Sequence, residues 1–277
     1  MEARDTLTFP QESRWNIDPY LPATVAPSST TKKPIHVTLT FATSLDSSLS
    51  LSPGVQTVLS GPESKAMTHY LRSKHDAILV GVGTAIADNP SLNCRIEGVG
   101  GYGGENLTGQ PRPVVLDPRG RWLLGDQTKI LKLAKEGRGK APFVVSSEPL
   151  GEENRKILES AGGKNIVLGD ILDPTAPTTR LPWHTLLAAL SKEGIQSLMI
   201  EGGGAVINDL LHPSHFSLVD TVIVTIAPIW LGKDGVQVCP EERVDEERNV
   251  KVPVAKLRET KWVPLGDDVV LCGRPIA

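Results

Sequence analysis

An α/β domain built on a mixed, mostly parallel sheet with helices on both faces is the fold class this sequence predicts. From Ile35 to about residue 213, apolar runs of strand length alternate with helix-like segments, the pattern of strands joined by crossover helices. In the last third, VIVTIAPIW, PVAKLRETKWV and DDVVLCGRP carry little helix, so antiparallel strands are expected to close one edge. No linker, repeat or charge block interrupts the pattern, which predicts one domain over residues 34–277.

Residues 1–33 read as an extension, disordered or draped on the surface. The stretch Pro22 to Pro34 is rich in Pro, Ser and Thr and has no apolar period. IHVTLTFA, from Ile35, is β-branched and alternating, a strand. SKAMTHYLRSK has helical spacing, with Met67, Tyr70 and Leu71 on one face. AILVGVG is a short apolar strand running into glycine. PVVLD, PFVVSS, NIVLG, SLMIEGGG and DTVIVTIAP are further strands. TKILKLAKE, EENRKILESA, WHTLLAALSKEG and AVINDLLHP supply the helices between most of them. The glycine-rich stretch Gly98 to Gly109 reads as a mobile surface insertion.

Composition excludes several classes. A net charge of −3 gives no basic field for nucleic acid. No apolar run approaches the roughly 18 residues of a membrane span. The N-terminus has no apolar core of a signal peptide, so the expected address is the cytoplasm. Cys94, Cys239 and Cys272 are scattered and odd in number, which points to reduced thiols and to neither a disulfide framework nor a zinc site.

Two strand-to-helix turns could carry chemistry. In AILVGVGTAIADNPSLNCR, the strand delivers Gly81 and Gly83, and Thr84 falls where a helix begins. Backbone N–H groups and a hydroxyl at a helix N-terminus can seat a phosphate. The Rossmann fingerprint is absent, because Ile86 stands where its third glycine belongs. In SLMIEGGGAVINDLL, Glu201 ends a strand and Gly202, Gly203 and Gly204 lead into a helix, which lets a ligand approach the main chain. Both turns lie at strand carboxyl ends, where open α/β sheets bind ligands. Asp88 shares a helix face with Thr84. Arg95, just past Asn89-Pro90, and Arg72, ending the preceding helix, offer cations for a sugar phosphate. A carboxylate such as Glu201 at a buried strand end is costly unless it meets a ligand or a cation. Asp46, after the first strand, reads by itself as a turn or N-cap residue.

These segments occur in a recognisable order: TLTFATSLD, Leu71-Arg72, AILVGVGTAIADNPSLNCR, PVVLD, MIEGGG and IAPIWLG. From about Pro34 onward the chain resembles the reductase-domain family of riboflavin biosynthesis, both its stand-alone fungal and archaeal members and the reductase half of the bacterial bifunctional deaminase-reductase. The resemblance implies a dihydrofolate-reductase-like fold, NADPH as cofactor and a phosphorylated pyrimidine as the small-molecule substrate. The ribosylamino side chain would be reduced to ribitylamino by hydride transfer to C1′ of a ring-opened imine. It further implies that Thr84 and Asp88 bind NADP, that Gly202, Gly203, Gly204, Ala205 and Val206 form the nucleotide-phosphate loop, and that Val167 lines the adenine side. Arg72, Leu92, Arg95 and Glu201 would bind substrate. Glu201, Asp46 or an ordered water would manage the proton, with Glu201 and Asp46 as the catalytic candidates. Bacterial members often carry Trp near position 58 where this chain has Val58, which leaves the contacts around Gln56 and Val58 open. The zinc-deaminase signature is absent. A homodimer, with Val219 to Ile229 against the second subunit, is expected by the same analogy. Two rivals stand beside this reading: a pterin or folate reductase on the same fold, and a nucleotide-binding regulator without catalysis.

Overall fold

A computed structural model describes residues 6–23, 33–169, 181–245 and 247–276. Helix α1 spans Gln11–Ile17 and runs into a 3-10 turn, Asp18–Tyr20. There follow β1 (His36–Thr43), α2 (Pro62–Ser73), β2 (Ala77–Gly81) and α3 (Val82–Asp88). Two tiny strands, β3 (Val99–Gly100) and β4 (Gly103–Gly104), precede β5 (Arg112–Leu116), α4 (Lys129–Lys135), β6 (Phe143–Ser146), α5 (Glu152–Ser160) and β7 (Lys164–Val167). The chain continues through α6 (Trp183–Lys192), β8 (Ser197–Gly202), α7 (Gly204–Leu211), α8 (Pro213–Phe216) and β9 (Thr221–Ile226). It ends with the ribbon β10 (Arg243–Asp245) and β11 (Val250–Val252), then β12 (Leu257–Leu265) and β13 (Asp268–Pro275).

The main sheet has nine strands in the order β12-β13-β9-β1-β8-β2-β5-β6-β7. Its parallel part runs from β9 to β7, and β13 joins β9 antiparallel, as expected of a mixed sheet. One expectation is corrected: VIVTIAPIW was grouped with the antiparallel edge, but β9 runs parallel to β1. A strand's direction follows from the neighbour it pairs with, which composition does not encode. Within the main sheet the antiparallel pairings are β13 with β9 and β12 with β13, and the β12–β13 ladder shifts register between Arg258 and Lys261. At the other edge, β7 has only four residues.

Period-two alternation assigns each face. Val37, Leu39, Ala77, Leu79, Val145, Leu198 and Ile200 join the layer under α6 and α7. Their neighbours Ile78, Val80, Val144 and Met199 face the opposite side, under α2 to α5. Both faces are covered, which is why the central strands read as unbroken apolar runs. The stripe Met67, Tyr70 and Leu71 is buried as predicted.

The extension departs from its expected disordered or surface-draped state over residues 6–23. Phe9, Ile17 and Tyr20 are buried in the layer containing Tyr70 and Val270. Three large apolar side chains spread over twelve residues make no sequence period, yet they cover a sheet face that α2 alone leaves open. Residues 24–32, most of the Pro/Ser/Thr stretch, lie outside the described residues. The Gly98–Gly109 stretch also differs from the mobile insertion expected of it. A Cβ on Gly100 would lie 2.6 Å from the Asn106 carbonyl oxygen, so glycine permits a tight coil rather than a loose one. The Gln110 side chain seals it, donating to the carbonyls of Cys94 (2.7 Å) and Gly100 (2.8 Å). Phe9→Ala should destabilise the domain by about 3–5 kcal/mol. Urea unfolding measures this, and a loss under about 1 kcal/mol would return residues 6–23 to the status of a draped extension.

Candidate active site

The site occupies the carboxyl edge of the sheet, where β8 is inserted between β1 and β2. That insertion sends the chains leaving β1 and β2 to either side of the β8 turn, the arrangement in which α/β sheets open a crevice. The two glycine turns meet there, since Val80 pairs with Gly202 across the ladder. A Cβ on Gly203 would lie 2.8 Å from the Thr84 hydroxyl oxygen, so only glycine fits against Thr84. Gly202 has φ +119°, a conformation that excludes ordinary side chains. No side chain caps α7 at Gly203, which leaves its first N–H groups for a ligand. Ala205 is exposed on this turn, whereas Val206 turns into the core.

Glu201, the last polar side chain of β8, meets a cation. Arg72 on α2 presents its fork to it, with Nε–Oε1 at 2.8 Å and Nη2–Oε2 at 2.7 Å. The third arm of Arg72 donates to the Asn93 carbonyl at 3.1 Å. Burial alone would lower the guanidinium's pKa, but Glu201 more than reverses this and holds it above the ordinary arginine value. Arg72 therefore serves Glu201 first and is not the uncommitted phosphate cation the sequence suggested.

Beside this pair opens a cleft of 690 Å³. Lys65, Arg72, Arg95, Lys129 and Lys132 line it, against Asp88 as its one acidic lining residue among those described. Burial raises the Asp88 carboxyl's pKa, partly offset by Lys129. Asp88 thus shares a cavity with the predicted substrate arginines. Asn89, with φ +41°, ends α3 immediately after it. Gln56 also lines the cleft, while Val58 is 86% exposed.

Other predicted residues fall elsewhere. Leu92 has its side chain fully in the core beneath α3 and α4, so only its backbone remains for substrate. Val167 ends β7, three strands from β2, and is 44% exposed. Asp46 is a loop pin: its carboxylate accepts from the Ser44 hydroxyl, from Leu231 N–H at 3.1 Å and from Gly232 N–H at 2.7 Å. These bonds, Ser44's foremost, hold its pKa at about 2, which removes it as a proton donor near neutrality. Trp183 is buried, while Trp230 and Trp262 are exposed. β9 lies inside the sheet, with Val222, Ile223 and Thr225 buried by this same chain.

Sequence reasoning passed over His69, Lys65, Lys129 and Lys132. The signal was present in α2, where Lys65, Thr68, His69 and Arg72 form a polar i, i+3, i+4, i+7 stripe beside the apolar one. His69 is buried, and its Nδ1 accepts the Arg95 backbone N–H at 3.1 Å. Burial, then Arg72, Arg95 and Lys65, push its pKa from 6.5 to about 2. It is a neutral, fixed acceptor. The unfolded chain takes up this proton first, so the stability from neutral His69 is complete above pH 6.5 and declines as pH falls below it. Thermal melts at about pH 7.5 and about pH 5.5 should show a larger loss for the native chain than for His69→Gln; equal losses would refute the assignment.

The family model for the RibD C-terminal domain matches residues 35–271. The 2,5-diamino-6-ribosylamino-4(3H)-pyrimidinone 5′-phosphate reductase of Debaryomyces hansenii is 39% identical over 240 residues, covering 86% of this chain and 88% of that protein. The solved riboflavin biosynthesis reductase of Saccharomyces cerevisiae superposes with a TM-score of 0.72 at 32% identity, over 96% of this chain and 100% of that one. RibD of Acinetobacter baumannii, at 24% identity, shares the fold with a TM-score of 0.65 over 88% of this chain and 58% of that one. A nine-strand mixed sheet with its glycine turns and a cationic cleft, matched by the family model over residues 35–271, makes this chain a member of the RibD C-terminal domain family.

Proposed function

We propose that this chain reduces the ribosylamino side chain of 2,5-diamino-6-ribosylamino-4(3H)-pyrimidinone 5′-phosphate to the ribitylamino form, with NADPH as reductant. The relatives' names supply the reaction. The observation that carries it is the cationic cleft lined by Arg72, whose fork holds Glu201, the residue just before the Gly202–Gly204 turn. A bare pterin brings no phosphate to a cleft lined by Lys65, Arg72, Arg95, Lys129 and Lys132, which disfavours a pterin or folate reductase.

The glycine turn suits a dinucleotide: Gly203 packs on Thr84 with no room for a Cβ, and the uncapped α7 N-terminus can face a phosphate. When bound, the nicotinamide supplies the hydride that reaches C1′ of the substrate. The protein's part is to hold two ligands in register along the carboxyl edge. Arg95 binds the substrate phosphate, Asp88 shapes the floor between the two ligands, and the Leu92 backbone carries the segment that presents Arg95. Glu201, locked by Arg72, orients the sugar. One proton accompanies the hydride to complete the amine; with Asp46 held ionised and both Glu201 oxygens taken by Arg72, solvent delivers it. Val167 lies where a dinucleotide stretched from β8 toward β7 would place its adenine. A homodimer and a cytoplasmic address follow the family resemblance.

Oxidation of NADPH with the phosphorylated pyrimidine should exceed that of NADH in kcat/KM; equal values would end the cofactor assignment, and no turnover with either would end the functional one. Arg95→Ala should raise KM for the phosphorylated substrate roughly ten- to 150-fold, the loss of a charge-assisted hydrogen bond worth about 1.5–3 kcal/mol, and leave NADPH affinity unchanged. Equal weakening toward phosphorylated and dephosphorylated substrate would exclude a phosphate contact.

A further inference from the structure

We infer that the chain around Leu7, outside the cleft itself, is a strap that sets where Arg95 stands, with the Leu7 backbone N–H as the positioning group. The inference rests on the reading of Arg95 as the phosphate ligand.

Arg95 lies on backbone with no helix or strand, residues 89–95, so no ladder fixes its place. Among the described residues, two hydrogen bonds hold its backbone groups. Its N–H donates to His69 Nδ1 at 3.1 Å, and its carbonyl accepts from the Leu7 N–H at 2.9 Å. The Leu7 carbonyl then accepts from Glu97 N–H at 3.0 Å, completing a parallel bridge around Ile96. Neutral His69 offers one unchanging acceptor on the α2 side, and Leu7 one donor on the other. The Arg95 peptide is thus gripped between α2 and the strap while its side chain lines the cleft.

The strap is anchored well enough to transmit position. Phe9 is 1% exposed, its ring centroid 5.2 Å from that of Tyr70 on α2. Arg14 lies over the other partner of that contact, 5.0 Å from the Tyr70 centroid, and donates through Nε to the Phe9 carbonyl at 2.8 Å. The Tyr70 hydroxyl donates to Asp18 at 2.6 Å, and the Tyr20 carbonyl accepts from Thr221 at 2.8 Å. Tyr70 sits between His69 and Arg72 in sequence, so the strap grips the helix that also carries the cleft wall.

Leu7→Pro deletes the N–H that holds the Arg95 carbonyl, whereas Leu7→Ala keeps it and trims only apolar contact. Leu7→Pro should raise KM for the phosphorylated pyrimidine about three- to tenfold, less than loss of Arg95 itself, with kcat and NADPH Kd unchanged. KM for the dephosphorylated substrate should stay put in the same protein. Leu7→Ala should keep the native KM. Replacing the residue-7 amide by an ester deletes the same donor without the proline ring and repeats the test where proline prevents folding. An unchanged KM in both donor-deleted proteins, beside a raised KM in Arg95→Ala, overturns the inference alone. A native KM in Arg95→Ala overturns the phosphate reading and the inference with it. A parallel loss of NADPH affinity in Leu7→Pro also overturns it, since that marks general loosening.

Discussion

The bidentate pair between Arg72 and Glu201 is the constraint on which the site depends. It joins the C-terminal turn of α2 to the last residues of β8, 129 positions apart in the chain. A nearly dry ion pair repays its desolvation only when its geometry is good and its spare donors are used. Both conditions hold here, with two short fork contacts and the remaining arm on the Asn93 carbonyl. Through Asn93 the pair also fixes the irregular segment two residues before Arg95. The glycine turn begins at the residue after Glu201. One interaction therefore sets the spacing between the turn that suits a dinucleotide and the cleft that suits an anionic substrate.

Around that pair, charge is distributed unevenly for a chain with a net charge of −3. Five lysines and arginines converge on one cavity, drawn from α2, α4 and the segment after α3. Their mutual repulsion has a visible consequence in His69, whose protonation is suppressed by burial and then by its cationic neighbours. Asp88 is the local counterweight, itself pushed toward the protonated form by burial.

Much of the fold was legible because burial on both faces leaves a strong mark on sequence. The apolar runs at Ala77, Val114, Phe143 and Ser197 all became strands, and the helices between them followed their 3.6-residue spacing. The two glycine turns were legible as well, through residue type at strand ends. What sequence could not reveal was pairing over distance. Arg72 and Glu201 were each suspected, yet neither announces the other. The direction of β9 is set by its contact with β1, and Phe9, Ile17 and Tyr20 are recognisable as core only once the open sheet face is known. Leu92 is a substrate position by resemblance alone, and its own side chain lies in the core.

The ends of the main sheet have a consequence for how copies of this protein can meet. An edge strand offers unpaired backbone to any similar strand unless something blunts it. On one side, β12 exposes Arg258, Glu259 and Lys261, and its ladder is broken between Arg258 and Lys261. On the other, β7 is only four residues long and begins with a lysine. Neither rim offers the long, flat, uncharged strand that continuous growth requires. Continuation of one copy's sheet into another's is thereby disfavoured at both rims.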